Sequence, residues 1–486
     1  MSNGGTFVVS MIYNIVMARI LLPEDFGVVG LGLIFTQFIS VLFSLGFGAA
    51  IIQEKNTSDE MLSTVFWINL VIGFCAAIVV FYSSFYINQY FESDHLESVL
   101  KVMSVGFIMG SISSVPVSVL SKKLEFKKLG LVVLLSMFVA YSFAIIFAVL
   151  GFSYWSIVLG NLIQTLFSTL LYFYFSKWRP FFVFGIIYVK SILRFGLFKA
   201  LYKFFSFFLD NVDFFIVGKF FGEDALGVYT MAYNLARVPV QKIKIVLGFV
   251  VFPTFSLLQD QTDRFVTGFY GVLRLSIQIL APITLLLFLG ADLIVTHWFG
   301  EKWQESIPVL KIFSIFIIVK GVNTLIKEMF MALGRSDVVF FLFFFESAAV
   351  TLVTFYGIKY GLSGVAFGAS IVFFVSLFVK LKILKSRLPL SFIQVIRNVK
   401  LPIIFLISIC ILIYTLKIIF QIYSVEYKFS FMHLLFLFLF QLVLQWCVLN
   451  PSDKNVVIRY LNRLYSVVFR KLKLPSFLTF KKPPLF

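Results

Sequence analysis

The sequence predicts an all-α integral membrane protein of about 14 transmembrane helices, built as two parallel-repeat six-helix lobes plus two extra C-terminal helices. Of its 486 residues, 60% are apolar or aromatic and 13% are charged, whereas a soluble domain carries about 25% charged residues. The mean hydropathy is +1.00. Apolar runs of about 20 residues, the length that crosses a bilayer as a helix, recur between short charged breaks. Lipid is therefore the expected solvent for much of the surface.

The apolar runs define the helices in order. The first six spans are predicted near residues 5–22, 26–52, 63–91, 101–120, 129–150 and 154–175. The next six are predicted near residues 197–218, 226–252, 271–296, 308–333, 338–359 and 362–380. The last two are predicted near residues 400–420 and 430–449.

The charged breaks between these runs set the predicted domain organisation. It consists of an N-lobe over 1–176 (helices 1–6), a cytoplasmic basic linker over 177–196, a C-lobe over 197–385 (helices 7–12), helices 13 and 14 within 386–449, and a basic cytoplasmic tail over 450–486.

Cations and acids alternate between successive connections, which predicts the topology. The cationic connections hold Lys122, Lys123, Lys127, Lys128, Lys177, Arg179, Lys190, Arg194, Lys382, Lys385, Arg387 and Arg397. The intervening connections hold Glu24, Asp25, Glu92, Asp94, Glu97, Glu223 and Asp224. Because cytoplasmic loops are enriched in Lys and Arg, the first set is predicted to be cytoplasmic, and an even span count then places both termini there. The net charge of +18 fits this pattern better than nucleic-acid binding.

The two halves of the chain repeat at an offset of 200 residues. The coincident pairs are Arg19 with Lys219, Glu24 with Asp224, Gly27 with Gly227 and Val28 with Val228. A weaker echo pairs residues 151–153 with 361–363. Six spans separate the copies, so the halves share one orientation. Parallel repeats of this kind describe two lobes around a central cavity, as in transporters.

Ionisable residues inside the spans are the candidate binding residues. A cation at the bilayer centre costs about 2.5–3.5 kcal/mol, so it is expected to face a wet cavity or a partner. Polar stripes occur on span 8 (Asn234, Arg237, Gln241, Lys244) and span 10 (Lys320, Asn323, Thr324, Lys327). The predicted cationic cavity is lined by Arg237, Lys320, Lys203, Lys244, Arg274 and Lys327. Arg and Lys in such a cavity fit phosphate, so a pyrophosphate attached to sugars is the expected cargo.

Two alternatives stay open for these cations. Lys199 and Lys327 lie within reach of the cytoplasmic interface, where long side chains extend to the headgroups. Lys320 and Glu346 together also fit a structural ion pair.

Asp210, Asp213 and Glu346 are candidate sites for a coupling ion, either a proton or sodium. Asp210 and Asp213 are one helical turn apart, and the alternative is that they neutralise Lys203. Neither the three histidines (His95, His297, His433) nor the three cysteines (Cys75, Cys410, Cys447) have metal-ligand spacing. No nucleophile, base and acid grouping occurs in the sequence, so we expect neither a metal, nor a cofactor, nor an enzyme.

Several segments, taken in order, resemble one family. They are ARILLPEDFG at 18–27, LGFGAAIIQ at 45–53, FWIN at 66–69, KKLEFKKL at 122–129, LDNVD at 209–213, FPTFSLLQD at 252–260 and GEKW at 300–303. This set resembles the polysaccharide transporter family, the Wzx-type flippases for O-antigen and capsule repeat units within the multidrug/oligosaccharidyl-lipid/polysaccharide exporter superfamily. Members usually begin with a cytoplasmic segment, whereas this sequence begins almost inside its first span.

The resemblance implies a function, a place and a set of partners. It implies a flippase that moves undecaprenyl-pyrophosphate-linked oligosaccharides across the bacterial cytoplasmic (inner) membrane by ion-coupled alternating access. The implied partners are the anionic lipid-linked substrate, membrane lipids, and polysaccharide polymerase and assembly proteins. We expect a functional monomer and no nucleic acid.

Three other readings stay open. An ion-coupled small-molecule exporter of the multidrug type would favour an acidic cavity for cationic drugs, against the basic stripes on spans 8 and 10. An integral polysaccharide polymerase or ligase would carry a large outer loop, whereas the longest outer connection here, near residues 297–305, is short. A structural membrane subunit would leave the intramembrane cations unexplained.

Overall fold

A computed structural model of the chain describes residues 2–43, 48, 51, 52, 54, 57–400 and 404, with the backbone but not the side chains described at residues 2–5, 7, 186–203, 246 and 249. All regular secondary structure in this part of the chain is helical. The predicted helices 13 and 14, the basic tail, His433, Cys410 and Cys447 lie outside the described residues.

The first six helices overlap the first six predicted spans. They are α1 Ser2–Ile20, α2 Pro23–Phe43, α3 Asp59–Phe91, α4 Leu96–Lys122, α5 Phe126–Val149 and α6 Trp155–Ser176. Local chemistry explains where two of them begin. Pro23 starts α2, since proline fits the first helical position. Ser58 caps α3 by accepting a hydrogen bond from the Met61 N–H at 3.1 Å, which satisfies a donor that the helix leaves unpaired.

The following helices are more broken than the apolar pattern predicts. They are α7 Ile186–Val246, α8 Phe252–Leu257, α9 Thr262–Leu293, α10 Ser306–Ile315, α11 Ile317–Ala332, α12 Ser336–Gly357 and α13 Gly361–Lys385. Predicted span 7 and most of predicted span 8 fall within α7, where Gly222 (φ 82°, ψ −175°) interrupts the helix between them. The end of span 8 continues through the π-helical turn Leu247–Val251. Predicted span 10 corresponds to α10 and α11 together, which are bent by 45° at Phe316. A last helical stretch covers residues 392–400.

Seven helices in the described part of the chain are long and apolar enough to cross a membrane, or eight if the bent pair α10–α11 counts as one. The protein is therefore a membrane-spanning helical protein. The count of 14 spans stays a prediction.

The chain forms two compact units. Unit 1 comprises Met1–Leu235, Asp292–Phe313 and Asp337–Phe373, and unit 2 comprises Ala236–Ala291, Ser314–Ser336 and the chain from Phe374 onward. These boundaries differ from the predicted lobes at 1–176 and 197–385, which stay a prediction.

The core of unit 1 consists of separate apolar clusters between neighbouring helices. One cluster joins α1 to α5 through Met17, Leu21, Ala144 and Ala148. Another joins α7, α12 and α13 through Leu209, Val350 and Ala369. Small residues bring such helices close, because transmembrane helices associate by packing rather than by the hydrophobic effect.

The weaker sequence echo has a backbone counterpart. Gly151 precedes α6 with φ +86°, and Gly361 starts α13 with φ +70°. Both lie at the turn of a helix pair and adopt a conformation that glycine accepts without steric cost.

Candidate substrate and coupling sites

The α7 part of unit 2 carries the predicted polar stripe. Arg237, Gln241 and Lys244 all have exposed side chains, while Ala236 and Ile243 beside them are buried. The helix thus packs through its apolar face and leaves the stripe uncovered, as the spacing of these residues predicts.

The α9–α11 pair holds the next group of predicted residues. The two helices approach closely at Gly321, where a Cβ would overlap the Leu280 side chain. Lys320 is the residue beside this contact and is half-buried. On the same helix Asn323 is buried, and the Thr324 hydroxyl donates to the Lys320 carbonyl at 2.8 Å.

Two further cations of the predicted set have polar neighbours. On α9, Arg274 is half-buried and its Nη1 lies 3.5 Å from Asn398 Oδ1. Lys327 Nζ lies 2.9 Å from Glu328 Oε1, and both side chains are largely buried. The Glu328 carboxylate offsets part of the positive charge of Lys327.

Five of the six predicted cavity cations thus belong to unit 2. They are Arg237, Lys244, Arg274, Lys320 and Lys327. The side chain of Lys203 lies outside the described residues. Their convergence on one cavity stays a prediction.

Lys380 is a buried cation that the sequence interpretation missed. It lies on α13 in unit 2, and it is 4% exposed. The predicted span 12 ends at this residue, and lysines at the ends of spans commonly extend to the headgroups. Ser376, one turn earlier, is also buried. Two polar residues at positions i and i+4 share a helix face, and this spacing could have indicated that Lys380 is buried.

The coupling candidates lie in unit 1. Asp213 is 5% exposed and accepts a hydrogen bond from the Tyr229 hydroxyl at 2.8 Å. Tyr229 is fully buried, and Phe214 and Phe313 each place a ring 5.3 Å from it in edge-to-face contact. Aromatic contacts of this kind hold the ring in one orientation.

The other two candidates differ in burial. Glu346 on α12 is buried, whereas Asp210 is half-buried. No group of three or more metal-ligating side chains occurs among the described residues.

Tyr229 is the second residue that the sequence interpretation missed. It is 16 residues from Asp213, and only the Gly222 break folds the two segments of α7 together. The position that corresponds to Asp213 in the first repeat is Tyr13, whose ring stacks on Tyr141 with centroids 3.8 Å apart. The buried carboxylate therefore belongs to one repeat only.

Sequence comparison places the chain among polysaccharide biosynthesis proteins. Residues 16–308 match the family described as "Polysaccharide biosynthesis protein". The chain is 26% identical over 308 residues to the teichuronic acid biosynthesis protein TuaB of Bacillus subtilis (strain 168). It is 28% identical over 331 residues to the lipopolysaccharide biosynthesis protein WzxC of Escherichia coli (strain K12). These matches cover 63% and 67% of this chain and 64% and 66% of the two relatives, just under two thirds of the relatives' length.

Structural comparison identifies the fold. The lipid II flippase MurJ in an inward closed conformation superimposes with a TM-score of 0.70 and 16% identity, covering 97% of this chain and 99% of MurJ. A multidrug resistance MATE family transporter of the MOP superfamily, in its inward-facing conformation, gives a TM-score of 0.64 and 18% identity, covering 77% of this chain and 94% of the transporter. The chain has the fold of these membrane transporters, and it belongs to the polysaccharide biosynthesis protein family.

Proposed function

We propose that the chain is a flippase for undecaprenyl-pyrophosphate-linked oligosaccharide units of O-antigen, capsule or exopolysaccharide in the bacterial cytoplasmic membrane. The observation that carries the proposal is that five of the six predicted cavity cations belong to one compact unit of a polysaccharide biosynthesis family member. A diphosphate is the cargo that such a surplus of positive charge favours, because guanidinium and ammonium groups donate charge-assisted hydrogen bonds to phosphate oxygens.

Alternating access between two like-oriented lobes is the proposed mechanism. The MurJ-like fold supports it, as does the repeat at an offset of 200 residues. In this scheme Arg237 and Lys320 hold the diphosphate, and Lys203, Lys244, Arg274 and Lys327 add to the positive potential. Asp213, with Asp210 or Glu346, binds the proton or sodium ion whose gradient drives the cycle.

The test is the effect of Arg237→Ala and Lys320→Ala on surface polysaccharide in a strain that lacks the chromosomal copy. We expect each variant to lower the output at least about tenfold, since a lost charged hydrogen bond costs about 1.5–3 kcal/mol, while the amount of protein in the membrane is unchanged. Lys242→Ala is the matched control, because Lys242 is an exposed cation on the same helix but off the stripe. Normal output from the Arg237→Ala and Lys320→Ala double variant would contradict the proposal.

A multidrug-type exporter is the alternative function, and the MATE-like fold is the observation that favours it. It predicts that deletion sensitises cells to cationic drugs and leaves polysaccharide intact. The flippase proposal predicts that deletion abolishes surface polysaccharide and leaves drug sensitivity unchanged.

A further inference from the structure

The residues that coincide at an offset of 200 lie at two turns of unit 1. One turn joins α1 to α2, and the other is the break of α7 at Gly222. The alternation of charge along the chain predicts that both turns face the outer side of the membrane. Each turn carries a cation, an acid and a glycine at the same three positions.

The backbones of the two turns touch reciprocally. A Cβ on Gly27 would overlap the Glu223 carbonyl and lie 2.9 Å from the Glu223 Cα. A Cβ on Gly227 would overlap the Pro23 carbonyl and lie 2.6 Å from the Pro23 carbonyl carbon. Pro23 and Glu223 are themselves 200 residues apart. The contact therefore has the reciprocity of a two-fold interface, in which each side uses the same residues.

The repeat-related cations reach across in the same reciprocal way. Arg19 donates from Nε to the Trp298 carbonyl at 2.9 Å and from Nη2 to the His297 carbonyl, where the helical run that continues α9 ends. Lys219 donates to the Tyr90 carbonyl at 2.5 Å and pairs with Glu92 Oε1 at 2.8 Å, where α3 ends. Each cation thus caps the third helix of the other repeat, where unpaired carbonyls and the helix dipole favour positive charge.

A second set of contacts closes the end of α1. Lys302 Nζ donates to the carbonyls of Arg19 at 3.0 Å and Leu21 at 2.5 Å. The Trp303 indole, which is fully buried, donates to the Ala18 carbonyl at 2.9 Å. Burial lowers the pKa of Lys302, opposed by the nearby Asp25 carboxylate. The free carbonyls of one repeat are therefore satisfied by side chains of the other.

The second turn is held by its own polar contacts. Ser93 donates a hydrogen bond to Glu223. Burial raises the pKa of Glu223, and this hydrogen bond acts in the opposite direction. The Lys219 hydrogen bond and charge lower the pKa of Glu92.

We propose that the Arg19–Gly27 and Lys219–Gly227 turns form a two-fold latch that holds the outer ends of the two repeats together and separates when cargo is released outward. The direction of release rests on the proposed function. Because backbone touches backbone at both glycines, no change of side-chain rotamer can loosen the contact gradually. The latch is therefore expected to switch between two states, as packed interfaces do.

The test measures opening by cysteine accessibility. In a cysteine-free background (Cys75→Ser, Cys410→Ser, Cys447→Ser), Thr230→Cys is the reporter. Thr230 Oγ1 is buried and makes no hydrogen bond with the described residues, and it lies 3.8 Å from the Cβ position of Gly30, one turn beyond the latch. The readout is the rate at which a membrane-impermeant maleimide, added outside spheroplasts, labels this cysteine.

The glycine variants test the backbone contact. Gly27→Ala or Gly227→Ala should raise the labelling rate about tenfold or more, because the added methyl cannot coexist with the facing carbonyl. Gly30→Ala is the matched control: its methyl lies on the same helix and meets Leu226 and Thr230 at 3.8 Å, an ordinary contact. Equal rates for Gly27→Ala and Gly30→Ala would overturn the latch.

The cation variants provide a second test for the case in which a glycine variant does not accumulate in the membrane. Arg19→Ala and Lys219→Ala should each raise the labelling rate about tenfold, since each removes charge-assisted hydrogen bonds. The double variant should be labelled faster than either single variant. Lys101→Ala is the control, because Lys101 pairs with Glu97 and lies over the Phe81 ring within the first repeat, away from both turns. Unchanged labelling in both cation variants would refute the proposal.

The labelling needs no polysaccharide, so the two proposals fail separately. If the latch variants label faster while Arg237→Ala and Lys320→Ala leave polysaccharide intact, the latch stands and the flippase assignment falls. If those cavity variants abolish polysaccharide and labelling never changes, the latch falls alone.

Discussion

Asp213 is a carboxylate buried among aromatic rings, with the Tyr229 hydroxyl as a hydrogen-bond donor. A buried ionised carboxylate is costly unless a charge or several hydrogen bonds compensate for lost hydration. Asp213 and Glu346 are the two buried coupling candidates, and Asp213 can be tested together with its partner Tyr229.

Replacing Asp213 separates coupling from structure. We expect Asp213→Asn to abolish surface polysaccharide while the protein folds normally, because the amide keeps the shape and the Tyr229 contact but cannot exchange a proton or hold a cation. Tyr229→Phe should instead destabilise the protein by about 1–3 kcal/mol, the cost of leaving a buried acceptor short of a donor. The measurements are polysaccharide output and the apparent melting temperature in detergent.

Asp337→Asn, an exposed acid at the start of α12, serves as the control for this pair. Normal polysaccharide from Asp213→Asn would remove Asp213 from the coupling mechanism.

At the residue scale, the sequence is informative about isolated charges and silent about their partners. Arg237, Lys320 and Asp213 stand out because charge inside an apolar run is costly wherever the run lies. Tyr229 and Lys380 do not stand out. A tyrosine in a membrane helix indicates no particular role unless a carboxylate is known to face it. A lysine at the edge of a span is interpreted as interfacial unless its burial is known.

At the scale of elements, the helices of the described chain follow the apolar runs, and their interruptions do not. The π-helical turn Leu247–Val251 contains Gly248, whereas the π-helical turn Ile294–Phe299 and the bend at Phe316 contain neither proline nor glycine. Helices kink at proline, at glycine or serine, or at π-helical turns, and the apolar periodicity along a helix does not predict a π-helical turn. The Gly222 break, by contrast, coincides with the acidic connection predicted between spans 7 and 8.

The α12–α13 pair gives a prediction at this scale. A Cβ on Gly364 would lie 2.5 Å from the Tyr360 Cβ and 3.3 Å from the Gly357 carbonyl carbon. We expect Gly364→Ala to destabilise the protein by about 1–3 kcal/mol through this overlap. The apparent melting temperature in detergent measures the effect.

Gly110→Ala is the matched control for Gly364→Ala. Gly110 lies inside α4, and a Cβ there meets nothing within 4 Å, so alanine should be neutral or stabilising by up to about 1 kcal/mol. If the two variants melt at the same temperature, close backbone approach does not hold α12 against α13.

For the whole molecule, the sequence identifies the membrane class and the family, and the two-lobe organisation stays a prediction. Lipid as solvent follows from composition alone, and the family match confirms the resemblance carried by the ordered segments. The two compact units cut across the predicted lobes, since residues 292–313 and 337–373 belong with the first half of the chain. The sequence repeat indicates which helices of the two halves correspond. The division into compact units depends instead on which helices are in contact.

The orientation of the whole molecule rests on charge asymmetry, and α4 offers a direct test of it. This helix has 27 residues, so it is about 40 Å long and exceeds the hydrocarbon thickness. Asp94 precedes it and Lys123 follows it, and both side chains are exposed. Because moving a cluster of lysines across the membrane is disfavoured during insertion, Lys122, Lys123, Lys127 and Lys128 should remain in the cytoplasm.

In the cysteine-free background, we therefore expect Asp94→Cys to react with an impermeant maleimide in intact spheroplasts and Lys123→Cys to react only after permeabilisation. Labelling of both after permeabilisation is the control for reactivity. The reverse pattern would place Arg19, Lys219 and the two glycine turns on the cytoplasmic side, and the same contacts would then close the inner end of the transport path rather than the outer one.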